Sequence, residues 1–172
     1  MSETGRIWDL LQRSFEGGDA WKCPSLRDLL ASVTAAQAAA RPIQGAPTIW
    51  ELLLHATVHA DLVRRRLSGE VVETPPDEVA WPKPGDASPA AWLQAKLDFG
   101  EARRALRQAV ASFPDARLTE PVPGREYPFY VMLYGVIEHA LYHAGQIEML
   151  MVAQGVRPSA SPMASRETPA RP

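Results

Sequence analysis

The sequence has a single cysteine, Cys23, among 172 residues, so no intramolecular disulfide can form and the fold has to be held by packing. That is the usage of a reducing compartment, and Cys23 reads as a small buried apolar residue rather than a reactive thiol. Uninterrupted apolar runs of about 18 residues are also missing, which excludes a transmembrane helix. The opening stretch, MSETGRIWDLLQRSFEGGDAW, lacks the charged region and continuous apolar core of a secretion signal. The chain is therefore expected to be soluble and cytoplasmic. Charge of one sign is scarce as well: the formal net charge is −2 and no basic run occurs. This gives no electrostatic footprint for nucleic acid or an anionic membrane, and neither is expected as a partner. No repeat, no alternating strand pattern, no glycine-rich phosphate loop and no nucleophile elbow is present.

What is present is ordinary globular composition, 46% apolar and 22% charged, with apolar spacing that is helical wherever it is regular. A first helix is predicted over about Thr4–Phe15, with Ile7, Trp8, Leu10, Leu11 and Phe15 inward and Glu16–Gly18 ending it. Ser25 and Thr34 are placed to cap short helices before Pro42. Thr48, with Glu51 three residues on, has the capping-box pattern for a long helix through IWELLLHATVHADLVRRRLSG, closed by Gly69. Residues 70–88 are too rich in Pro, Asp and Glu for a regular element, and a connection of this length suggests a crossover or a functional loop. Ser88 and Pro89 open a third long helix with Trp92, Leu93, Leu97, Leu106 and Val110 inward. A fourth runs from about Phe129 to Gln154, with Gly155 at its end. The expected fold is all-α, a four-helix bundle over residues 1–156 with a long crossover between the second and third long helices, which lets those two run parallel. Residues 157–172 are expected to form a disordered tail.

All four histidines fall in i, i+4 pairs: His55 with His59, and His139 with His143. Residues so spaced share one helix face, so each pair can hold a cation between its rings. A divalent transition ion suits neutral imidazoles, and three protein ligands with an open position typify catalytic zinc. His139 and His143 would supply two ligands and either His55 or His59 the third; helix geometry does not choose between them. On a helical wheel His59 lies nearer the stripe of Leu52, Ala56 and Val63, whereas His55 lies toward Glu51 and Leu62. Packed core histidines are the plain alternative. A zincin protease is disfavoured, because the position after His139 is Ala140 instead of the required Glu. Glu138 points about 100° away from His139 and reads as solvated or as an outer hydrogen-bond partner.

The stretches AWKCPSLRDLL, APTIWELLLHATVHADLVRRRLSGE and YGVIEHALYHAGQIEML resemble, in order and separation, the DinB-like superfamily of metal-binding four-helix bundles, over about residues 5–156. Cys23 and Lys22 depart from residues usual in relatives, away from the metal motif. The resemblance implies an up-down-down-up bundle holding Zn²⁺ or Ni²⁺ on His55, His139 and His143, with His59 outside the triad, and frequent homodimers. It also implies a link to the thiol S-transferase and mycothiol-dependent isomerase families, which use low-molecular-weight thiols; many other members have no known activity. Two functions follow as expectations. One is a metal-dependent thiol transferase or hydrolase, its substrate unspecified, with Trp81 either walling the open position or packing the loop onto the bundle. The other is a non-catalytic, metal-stabilised bundle closed by a fourth ligand, for which His59 and Glu51 are the candidates.

Overall fold

The computed structural model describes residues 1–17 and 25–156, so the expectations for Lys22, Cys23 and the 157–172 tail fall outside the described residues. Within them the chain is all-helical: α1 Glu3–Glu16, α2 Leu26–Ala31, α3 Ala35–Ala39, α4 Ile49–Leu67, α5 Asp77–Ala80, α6 Pro89–Ala111, a 3₁₀ turn Asp115–Arg117, and α7 Phe129–Ala153. No helix among the described residues is long and apolar enough to cross a membrane.

Local chemistry accounts for where the helices start. Ser2, Ser25, Thr34, Thr48 and Ser88 each accept a backbone N–H of the first turn through the side-chain oxygen, and Pro89 occupies the first turn of α6. Thr34 with Gln37 and Thr48 with Glu51 form reciprocal capping boxes. Gly69, at φ +90°, takes the left-handed conformation that ends α4 without the strain a side chain would add there.

The four long helices pack as a ring of contacts, α4 against α6 and α7, and α1 against the same two. The shared core holds Ile7 and Leu11 of α1, Leu52 and Leu53 of α4, Leu106 of α6, and Phe129, Leu133 and Ile147 of α7. Trp50 and Trp92 meet at 5.1 Å between ring centroids, and the Trp92 indole N–H donates to the Val33 carbonyl at 2.8 Å. That bond satisfies the indole on burial and ties the segment before α3 to α6.

Two expectations about packing are corrected. Leu93 and Leu97 are exposed, at 55% and 54%, whereas Trp92, Ala95, Phe99, Arg103, Leu106 and Val110 face inward on α6. Leu93 follows the inward Trp92 by one residue, about 100°, and Leu97 lies farther round; the inward stripe buries Arg103 against the Phe15 ring. The connection after α4 is also not wholly irregular, because Asp77–Ala80 form the single turn of α5.

Glu51 anchors the start of α4. Its buried carboxylate accepts the Thr48 N–H at 2.8 Å, Arg41 Nη2 at 2.9 and 3.0 Å, and Lys83 Nζ at 2.7 Å. Burial alone would push this carboxyl up; the Lys83 and Thr48 hydrogen bonds and the Arg41 charge outweigh it and hold the pKa at about 2. Replacing Glu51 with Ala strips the cap and leaves a buried N–H without its acceptor, while Arg41 and Lys83 can turn to water. The expected loss is about 2 kcal/mol of unfolding free energy, measured by urea titration at pH 7. A change below about 0.5 kcal/mol would contradict this account of the cap.

Candidate metal centre

Helix α4 carries His55 and His59, and α7 carries His139 and His143; the α4–α7 contact brings all four rings together. The four-residue spacing stacks each pair on one face, with ring centroids 4.4 Å apart for His55–His59 and 4.3 Å for His139–His143. Across the helix pair, His55 lies 5.0 Å from His139 and His59 lies 4.5 Å from His139. His55 is buried, as are Glu51 and Leu62 on its side of the wheel and the Leu52, Ala56 and Val63 stripe, whereas His59 is only half-buried.

The hydrogen bonds determine which nitrogen of each ring is free. His55 Nδ1 is 2.6 Å from the Ala80 carbonyl and His143 Nδ1 is 2.6 Å from Gln146 Oε1. Carbonyl oxygens only accept, so both Nδ1 atoms carry protons and both Nε2 atoms present lone pairs. These Nε2 atoms lie 3.1 Å (His55) and 3.0 Å (His143) from His139 Nε2. A neutral His139 can give a proton to at most one of them, so at least one close N···N contact has no hydrogen to occupy it. A cation facing the three nitrogens removes that conflict. The separations are also near the edge of about 3.3 Å between ligands each about 2.0–2.1 Å from a tetrahedral zinc. Neutral imidazole nitrogens gathered in this way have the chemistry to hold a divalent transition ion.

The three histidines whose ring nitrogens all lie within 4.8 Å of one another are His55, His59 and His139, a group that does not include His143. The histidine side-chain hydrogen bonds among the described residues all belong to His55, His139 and His143, so nothing comparable orients the His59 ring. Glu51, the other candidate for a closing ligand, is taken up by its own cap and cations. Glu138 is exposed.

Sequence reasoning missed Ala80 and Gln146 as partners of the rings. A backbone carbonyl leaves no mark in a side-chain pattern, but Gln146 lies three residues after His143 and was legible by helical spacing. Trp81, next to Ala80, stacks on His55 at 3.7 Å with the planes 11° apart, so the crossover covers one face of that ring.

Burial holds all four imidazoles neutral. Desolvation is the main cause in each, lowering His59 to about 4 and His139 to about 3, with neighbouring histidines adding to both. His55 and His143 are lowered too, against the opposing pull of Ala80 and Gln146. In the unfolded chain a histidine titrates at about 6.5. The metal-free protein thus has the full contribution of these groups above about pH 6.5. It loses that contribution as pH falls toward the folded values, since only the unfolded state then takes up protons. The urea midpoint of the metal-free chain is expected to fall between pH 7 and pH 5, and His59→Gln to make that fall shallower. A flat profile over this window would show that the rings protonate freely in the folded state.

Neither a curated protein nor a solved structure matches the chain significantly. The family model described as DinB superfamily matches residues 24–147, more than half of the sequence, and that span holds all four histidines and both ring partners. On that match and this helical, histidine-centred arrangement, the chain belongs to the DinB superfamily.

Proposed function

We propose that the chain binds Zn²⁺ or Ni²⁺ through His55, His139 and His143 and is a metal-dependent enzyme of thiol S-transferase or hydrolase type. The observation that carries the reading is the approach of the His55 and His143 Nε2 atoms to His139 Nε2, at 3.1 and 3.0 Å, both with their protons held on the opposite nitrogen. Preference for His143 over His59 rests on orientation, because a ligating imidazole whose other nitrogen donates to a carbonyl has its tautomer and ring plane fixed in advance. When bound, such an ion lowers the pKa of a thiol or water in its open position, making the anion available near neutral pH. The protein's part is to keep four rings deprotonated, to exclude water from His55 with Trp81, and to leave an approach lined by His59 and His139.

A second reading, a metal-stabilised bundle without catalysis, is favoured by the place of His59 within 4.8 Å of His55 and His139, since a fourth ligand would close the shell. In either case we read the four long helices as an up-down-down-up bundle of residues 1–156, supported by the packing of α1 and α4 each on α6 and α7. Leu141, Tyr142, Met149 and Val152, exposed on α7, support a homodimer, and the lone cysteine supports a cytoplasmic setting.

Metal analysis of the purified chain tests the centre. One ion per chain is expected, lost in His139→Ala and His143→Ala and retained in His59→Ala; Gln146→Ala is expected to bind the ion about tenfold more weakly. Retention in His143→Ala with loss in His59→Ala would transfer the site to the alternative set. Transfer of a small thiol to an electrophile is expected to require both the ion and His139, and activity indifferent to both would leave only the non-catalytic reading.

A further inference from the structure

Beside the histidines lies a cavity of about 290 Å³ whose lining includes His59 and His139 at one part and Arg66 and Tyr127 at another. The rest of the lining is apolar apart from Thr74 and includes Leu62, Val63 and Val136. Arg66 closes the last turn of α4, where arginine is expected to reach water, yet it is buried at 5% exposure. Its Nε and Nη2 donate to the Val72 carbonyl at 3.1 and 2.7 Å, and Nη1 donates to the Tyr127 hydroxyl at 2.8 Å. These bonds use three of the five N–H groups of a guanidinium and only neutral acceptors.

No carboxylate among the described residues forms an ion pair with Arg66. Glu73, whose charge bears on it, is exposed and pairs with Arg125 at 3.3 Å, and Arg125 itself donates to the Val72 carbonyl at 2.8 Å. A buried cation with spare donors and no carboxylate in contact is costly unless an anion completes it. The remaining two N–H groups match the two oxygens of a carboxylate. A phosphate dianion would bury a second charge, for which the cavity lining supplies no second guanidinium or ammonium group.

We propose that this cavity binds a small carboxylate-bearing molecule, its carboxylate on Arg66 and its far end at the histidine cluster, so that Arg66 selects the substrate by charge. The far end rests on the metal reading above; the carboxylate end does not. His59 and Arg66 stand seven residues apart on α4, about 10 Å along the axis, and a short aliphatic chain along the apolar walls spans the interval.

The test uses calorimetric titration of the zinc-loaded full chain with mercaptoalkanoates of three to six carbons and with the corresponding neutral amides. The acid of the best-fitting length is expected to bind on the order of tenfold more tightly than its amide. The difference is expected to vanish in Arg66→Gln and to survive in part in Arg66→Lys. Arg125 keeps the Val72 carbonyl tied in both variants, and the wild-type comparison of acid with amide depends on neither variant folding. Equal binding of acid and amide, or no binding of either, overturns the proposal. So does an acid preference that persists in Arg66→Gln, since the carboxylate would then sit on the ion. If the ion is present but acid and amide bind alike, the cavity proposal fails and the metal centre stands. If no ion binds but an Arg66-dependent acid preference remains in the metal-free chain, the reverse holds.

Discussion

The arrangement of the centre depends on one hydrogen bond, from His55 Nδ1 to the carbonyl of Ala80 at 2.6 Å. It joins α4 to a segment 25 residues away and in doing so settles three things. It places the proton on Nδ1, so that Nε2 faces His139; it brings Trp81 onto the His55 ring; and it satisfies the last-turn carbonyl of the single-turn helix α5. An isolated turn of helix is not stable by itself. It is held because the crossover is pinned along its length, by Arg66 and Arg125 on the Val72 carbonyl, by His55 on Ala80, and by Lys83 on Glu51.

The same segment covers one face of the His55 ring. Desolvation keeps all four imidazoles neutral, and for His55, His59 and His139 the charge of neighbouring histidines adds to it. Neutral rings are ligands, whereas protonated ones are not. The geometry thus favours occupancy by a cation of another kind, and α4 concentrates the consequences: Glu51 caps its start, His55 and His59 occupy its middle, and Arg66 is buried at its end. One nineteen-residue helix with a buried carboxylate, two imidazoles and a buried guanidinium is too polar inside to be explained by packing alone. The carboxylate has its partners within the chain, whereas the imidazoles and the guanidinium face space that a ligand can complete.

Much of this was legible before the fold was seen. Helix starts followed from Ser and Thr caps, their ends from Gly69 and Gly155, and the all-helical class from apolar periodicity. Each i, i+4 histidine pair is a local consequence of helical pitch. Other features were not legible, for reasons that can be named. Leu93 and Leu97 look like core residues, but a helix face is chosen by all its neighbours together, and burying Trp92, Phe99 and Arg103 turns the two leucines outward. Arg64 to Arg66 look like three equivalent cations at a helix end; only the fold, by laying residues 70–75 beside Tyr127, encloses the third.

By itself, then, the sequence determined the helices, their caps and the presence of two imidazole pairs, because these rest on interactions within about four residues along the chain. The tertiary structure alone decided that the two pairs meet, that His55 is the deeper member of its pair, and which of its ring nitrogens faces inward. It also decided that Arg66 loses its water without gaining a counter-ion. Each of these depends on contacts between residues 25 to 84 positions apart, and such contacts are set by how the helices pack and where the crossover lies, which no local pattern encodes.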